Sequence, residues 1–94
     1  MFILRIEHKI LDYNSWKKAF DSDPVGRAKI GVRRYNILRP VDDDKYVIID
    51  LEFETMQQAQ ALLNAMQDVW GNVAGKIIVD PKARITEVVE EKSF

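Results

Sequence analysis

Apolar and polar residues alternate from the start of the chain. In FILRIEH, residues 2–8, Phe2, Leu4 and Ile6 point one way and Ile3, Arg5 and Glu7 the other, a period of two that predicts a strand. The period then changes. Tyr13, Trp16 and Phe20 fall at i, i+3 and i+7, on one stripe of a helix that Asp12 is suited to cap, with Lys17, Lys18 and Asp21 on the other side. Asp23-Pro24 reads as a fresh helix start, so residues 24–30 form a second short helix or a bent continuation that stops at Gly31. Residues 31–39 and 45–53 read as a hairpin of two strands across the turn PVDDD. In the second of them Val47, Ile49, Leu51 and Phe53 form a continuous apolar face, opposite Tyr46, Ile48, Asp50 and Glu52.

Thr55 and Gln58 have capping-box spacing, and they open a helix whose core face is Met56, Ala59, Leu62, Leu63, Met66 and Trp70. Gly71 and Gly75 loosen the chain beyond it. KIIV, residues 76–79, suits a short edge strand, Asp80-Pro81 turns it, and residues 83–91 form the last strand. The order is β-α-β-β-α-β. That order predicts one α+β domain over residues 1–94: a ferredoxin-like four-stranded antiparallel sheet with two helices on one face.

The other sheet face is the more informative one. Tyr46, Ile48, Asp50 and Glu52 share it with Ile3, Arg5 and Glu7, and with either Arg84/Thr86/Val88 or Ile85/Glu87/Val89. Isoleucine and valine interleaved with charges of both signs suit a solvated face, and suit sheet-to-sheet packing of a homodimer better.

Composition narrows the function. A formal net charge of −1 gives no electrostatic reason to expect nucleic acid or an anionic membrane. The chain has no cysteine, which removes disulfides and thiolate metal sites. Arg5 interrupts the N-terminal apolar run, and no segment approaches a membrane span, so a cytoplasmic protein is the expectation. GNVAGK lacks the spacing of a phosphate-binding loop, and KYVIIDLEF lacks the aromatic signature of an RNA-binding strand.

Few residues offer chemistry. His8 is the only histidine. Placed at a strand end it could act as a base at a pocket mouth, or simply bond to backbone or solvent, which is the commoner role. One histidine and a DDD turn do not make a metal site. Tyr13, Trp16 and Phe20 are core residues by spacing, and alternatively the wall of a ligand cage. Trp70, at a helix end beside Gly71, suits a core or a cavity gate. Arg33 and Arg34 point to opposite sheet faces. Whichever faces the helices needs a partner or a cavity, and Arg34 is the preferred anchor for an anionic ligand; its alternative is an ion pair with Asp50 or Glu52.

The stretch from Leu11 to Met66, with DYNSWKKAFD, GVRRY, DD and VIIDLEF in order, resembles small members of the dimeric α+β barrel superfamily, the group that contains antibiotic-biosynthesis-type monooxygenases. The resemblance covers roughly residues 3–90. It implies a homodimer with facing sheets and a cavity between each sheet and its helices. It further implies that Asn64 and Trp70 correspond to two members of the Asn/Trp/Tyr set of oxygenases acting on polycyclic phenols; no tyrosine follows Tyr46 to complete it. Trp70 also matches a tryptophan of the haem-degrading branch, but the histidine ligand after it is missing. The superfamily hosts oxygenases, isomerase-like enzymes and ligand-binding domains, so fold does not fix activity. Two functions are therefore carried forward. One is a monooxygenase-like or isomerase-like enzyme needing no cofactor, with His8 as catalytic residue and Arg34, Tyr13, Trp16, Asn64 and Trp70 holding a small organic substrate. The other is a non-catalytic homodimer that binds a small ligand or a partner.

Overall fold

The computed structural model describes residues 1–73 and 78–94. Strand β1 spans Phe2–Ile10, longer than the alternation of residues 2–8 predicts. It is central because both of its edges are paired: with β3 (Tyr46–Phe53) on one side and β4 (Ile78–Glu87) on the other, both antiparallel. Strand β2 (Arg34–Leu38) pairs only with β3, which gives the order β2-β3-β1-β4. This is the ferredoxin-like arrangement. Helices α1 (Tyr13–Asp21), α2 (Arg27–Ile30) and α3 (Met56–Val73) connect the strands.

The predicted faces hold. Leu4, Ile6, Val47, Ile49, Leu51 and Phe53 are buried beneath Trp16 of α1 and Ala59 and Leu62 of α3. The register resolves the open alternative at β4. Arg84 lies opposite Arg5 and Thr86 opposite Ile3, so that set occupies the open face, while Ile85 lies opposite Leu4 on the helix side.

Local chemistry sets the helix ends. Asp12 accepts the Ser15 N–H at 2.8 Å and caps α1. Thr55 and Gln58 exchange side-chain to backbone hydrogen bonds at 3.2 and 3.3 Å, the reciprocal pair their spacing predicts. At Gly31, φ is +123°, and the N–H groups of Gly31 and Val32 both return to the Arg27 carbonyl. That closure uses residues the pattern gave to β2, so the strand starts at Arg34 rather than at residue 31.

Further expectations are corrected. Asp23-Pro24 does not start a helix: Asp23 takes a left-handed φ of +51° and accepts the Arg27 N–H, and α2 begins only after Gly26. Met56, in the first turn of α3, is half exposed rather than part of the core face. Residues 78 and 79 of KIIV join the last strand directly, while 76 and 77, like Gly75, lie outside the described residues. Asp80-Pro81 does not end the strand either. Register runs Glu7↔Lys82 but Lys9↔Val79, so Asp80 and Pro81 together oppose His8 as a bulge, with Asp80 at φ +56°.

Candidate functional site

β1 directs Leu4, Ile6, His8 and Ile10 to the same face. In a strand that has one polar residue among inward positions, that residue meets the core. His8 is only 3% exposed, so it is interior rather than at a strand end. Its ring meets the Trp16 edge at a centroid distance of 5.9 Å. Trp16 in turn contacts Tyr13 at 5.8 Å and Phe20 at 5.2 Å, and Phe20 contacts Tyr35 at 5.2 Å. The stripe read from the sequence is thus a run of rings along the helix side of the sheet.

A cavity of about 330 Å³ lies between sheet and helices. This is the lower end of the range usual for small-molecule sites. Ile6, Ile49 and Leu51 supply sheet residues, Trp16 and Phe20 come from α1, and Leu62, Met66 and Trp70 from α3. Among the described residues the polar lining residues are few: His8, Ser22, Arg27 and Asn72. The aromatic stripe therefore does both jobs in question. Trp16 belongs to the core and to the cavity wall, and Phe20 packs on the first and lines the second.

The state of His8 follows from its partner. Nδ1 lies 3.1 Å from the Lys9 carbonyl oxygen. A carbonyl only accepts, so Nδ1 carries the proton and Nε2 the lone pair in the neutral ring, an assignment made from the hydrogen bond. Burial pushes the His8 pKa below its ordinary value, and the Lys9 carbonyl opposes this more weakly. Among the described residues Nε2 has no protein partner, yet no fully enclosed polar side-chain atom is left unsatisfied. Nε2 is the ring nitrogen not used by that bond, and His8 is among the residues that line the cavity. Among the described residues the lining thus holds one imidazole on a largely apolar wall.

The other expected site residues separate into two groups. Trp16 and Trp70 line the cavity with His8. Tyr13 packs against Trp16 but is not part of the lining. Asn64 is exposed on α3, where it accepts from the Gln60 amide at 3.0 Å. Arg34 is the clearest misplacement. It pairs across the sheet with Glu52, on the open face, and its guanidinium is hydrogen-bonded to that carboxylate. The reason is register: Glu52 is on the outward side of β3, and the residue opposite it shares that side. Arg33 has the helix-side parity but stays exposed in an ion pair with Glu54.

Arginine does reach the cavity, at Arg27. No periodicity points to it. It follows a loop with left-handed residues at Asp23 and Gly26, and its side chain lies back on Phe20 of α1. Its guanidinium stacks on the Phe20 ring at 3.8 Å, and Nη1 donates to the Phe20 carbonyl at 2.8 Å.

On the open face, Arg5 makes a bidentate pair with Asp50 at 2.8 Å, and the Tyr46 hydroxyl donates to Glu7 at 2.7 Å. That hydrogen bond, with burial second, pushes the Tyr46 pKa up to about 12. No group of three His, Asp or Glu among the described residues is placed to share a metal ion. No helix among them is long and apolar enough to cross a membrane.

No protein-family model matches the sequence, and no curated protein matches it significantly. Solved structures do share the fold. A Nitrosomonas europaea protein provisionally assigned as an antibiotic biosynthesis monooxygenase superposes with a TM-score of 0.71 at 17% identity, covering 96% of this chain and 100% of that one. SnoaB, a cofactor-independent oxygenase from Streptomyces nogalater, gives 0.73 at 11% identity, covering 96% and 94%. A dimeric ferredoxin-like protein from an uncultured marine organism gives 0.66 at 13%, covering 97% of each chain. The chain shares its ferredoxin-like fold with these proteins.

Proposed function

We propose that the chain is a homodimeric enzyme of the cofactor-independent monooxygenase-like or isomerase-like kind, acting on a small organic substrate held between sheet and helices. The observation that carries this is a buried His8, its pKa lowered by burial, in the lining of a largely apolar cavity. A weakly acidic O–H or C–H of a bound substrate donates its proton to Nε2. The dry wall removes the water that would otherwise level such a transfer. The resulting enolate or phenolate has two outcomes. Returning the proton to a different carbon isomerises the substrate. Alternatively the electron-rich anion reduces dioxygen itself: a CH₂ becomes C=O and the second oxygen leaves as water, so the substrate supplies all the electrons. SnoaB, with the same fold, is a cofactor-independent oxygenase, which supports the second outcome.

The open sheet face is proposed to cover its counterpart in a second copy. Ile3, Ile48 and Leu38 lie there among the Arg5–Asp50 and Arg34–Glu52 pairs, whose acidic members are already largely enclosed. The dimeric description of a neighbour with this fold points the same way. Replacing Ile48 with Lys is expected to halve the native mass and leave His8 in place.

A non-catalytic ligand-binding dimer is the second reading. It is favoured by one observation: among the described residues His8 is the sole proton acceptor in the lining that is suited to neutral pH. Exchange in deuterated water separates the two. With a panel of small phenols and enolisable ketones, the enzyme reading expects substrate C–H exchange that His8→Gln abolishes. Binding by both proteins without exchange supports the second reading.

A further inference from the structure

Among the described residues, four arginines face an acidic side chain within 4 Å. Arg5, Arg33 and Arg34 are each hydrogen-bonded to it, and their side chains are 45%, 57% and 70% exposed. Arg27 differs in both respects. Its side chain is only 15% exposed, and its Nε stands 3.7 Å from Asp23 Oδ1, too far for a hydrogen bond. That same Asp23 oxygen is engaged by the Arg27 backbone N–H at 2.9 Å. The most enclosed of these cations is therefore the one least matched by a carboxylate, and it lines the cavity.

Its geometry leaves the useful edge free. Phe20 takes one face of the guanidinium plane, and the Phe20 carbonyl takes one Nη1 hydrogen. Among the described residues Nη2 has no acceptor. A guanidinium presents its N–H groups in a planar fork suited to two oxygens of an anion, and stacking on a ring does not use them. Fixed on Phe20, the fork is held in place before any ligand arrives.

Resting on the reading of the cavity as a substrate site, we infer that the ligand is a small, flat organic acid whose carboxylate or similar oxyanion is held by Arg27. Its body lies against Trp16 and Trp70, and a weakly acidic O–H or C–H meets His8. Arg27 is the charge-selecting residue of the site, the role sequence reading gave to Arg34.

The test uses two isosteres that differ in charge, 2-naphthoate and 2-naphthamide, titrated by calorimetry into wild type, Arg27→Gln and Arg27→Lys. Wild type is expected to bind naphthoate at least tenfold tighter than naphthamide. Arg27→Gln erases that preference with naphthamide affinity unchanged within twofold, and Arg27→Lys retains part of it. Equal wild-type affinity for the two probes overturns the anchor and leaves the cavity reading standing. Equal loss of both probes in Arg27→Gln shows a role only in capping the end of α1, and also overturns it. If neither probe binds wild type at millimolar concentration, the cavity reading fails and the anchor with it. Should Arg27→Gln not fold, the wild-type preference and its reduction in Arg27→Lys decide the matter.

Discussion

Acidification should destabilise this protein through a single residue. His8 is the chain's only histidine, buried and neutral, with a pKa below its ordinary value of 6.5. In the unfolded chain it titrates at the ordinary value. Below that pH the unfolded state binds more protons than the folded state, so stability falls as pH falls. The contribution is fully present above the unfolded pKa and is lost on the way down through the folded one. One proton sets the limiting slope at about 1.4 kcal/mol per pH unit, and the loss between pH 6.5 and 5.5 at up to about 1 kcal/mol. In a domain of this size that corresponds to a lowering of Tm by about 4–8 °C. Carboxylates contribute mainly at lower pH. Asp12, whose pKa the Ser15 N–H holds below the usual range, is an example. Urea unfolding of wild type and His8→Gln at half-unit steps from pH 7.5 to 5 measures the effect directly. Wild type should lose stability over this window and His8→Gln should stay flat. A flat wild-type profile, or the same slope in the variant, would refute the buried neutral imidazole and with it the proton acceptor of the site.

Three other perturbations probe the frame around the cavity. A Cβ at Gly31 would stand 2.6 Å from the Gln58 amide nitrogen, at a φ of +123°, so Gly31→Ala should cost more than about 1 kcal/mol in denaturant unfolding. Thr55→Ala removes half of the reciprocal cap of α3 and should cost about 1 kcal/mol in the same assay. Leu62, 1% exposed and on the cavity wall, should cost about 2–5 kcal/mol when cut to Ala, and the enlarged cavity should admit bulkier ligands.

The parts of the fold that were legible were those written in local periodicity. The apolar face of β3, the α1 stripe and the Thr55–Gln58 box each follow from spacing within one element, and each folded as spaced. The site was less legible because it depends on relations between elements. That Arg34 lies outward is decided by its register against Glu52, and register is not visible in β2 alone. That Arg27 lies inward is decided by a loop whose left-handed residues include an aspartate, where glycine would have been the sign. From FILRIEH alone His8 reads as the end of a strand. The strand continues through Ile10, and the bulge at Asp80-Pro81 keeps β4 paired beside it. Asn64 and Tyr13 lie on the right helices but outside the cavity.

The most direct measurement is the ¹⁵N spectrum of the His8 ring at pH 7.5, recorded as 2-naphthol is added. The account predicts a neutral ring with Nδ1 protonated, and a shift confined to Nε2 as the naphthol hydroxyl donates to it. A protonated ring, or two nitrogens that remain unmoved while naphthol saturates the protein, would contradict it.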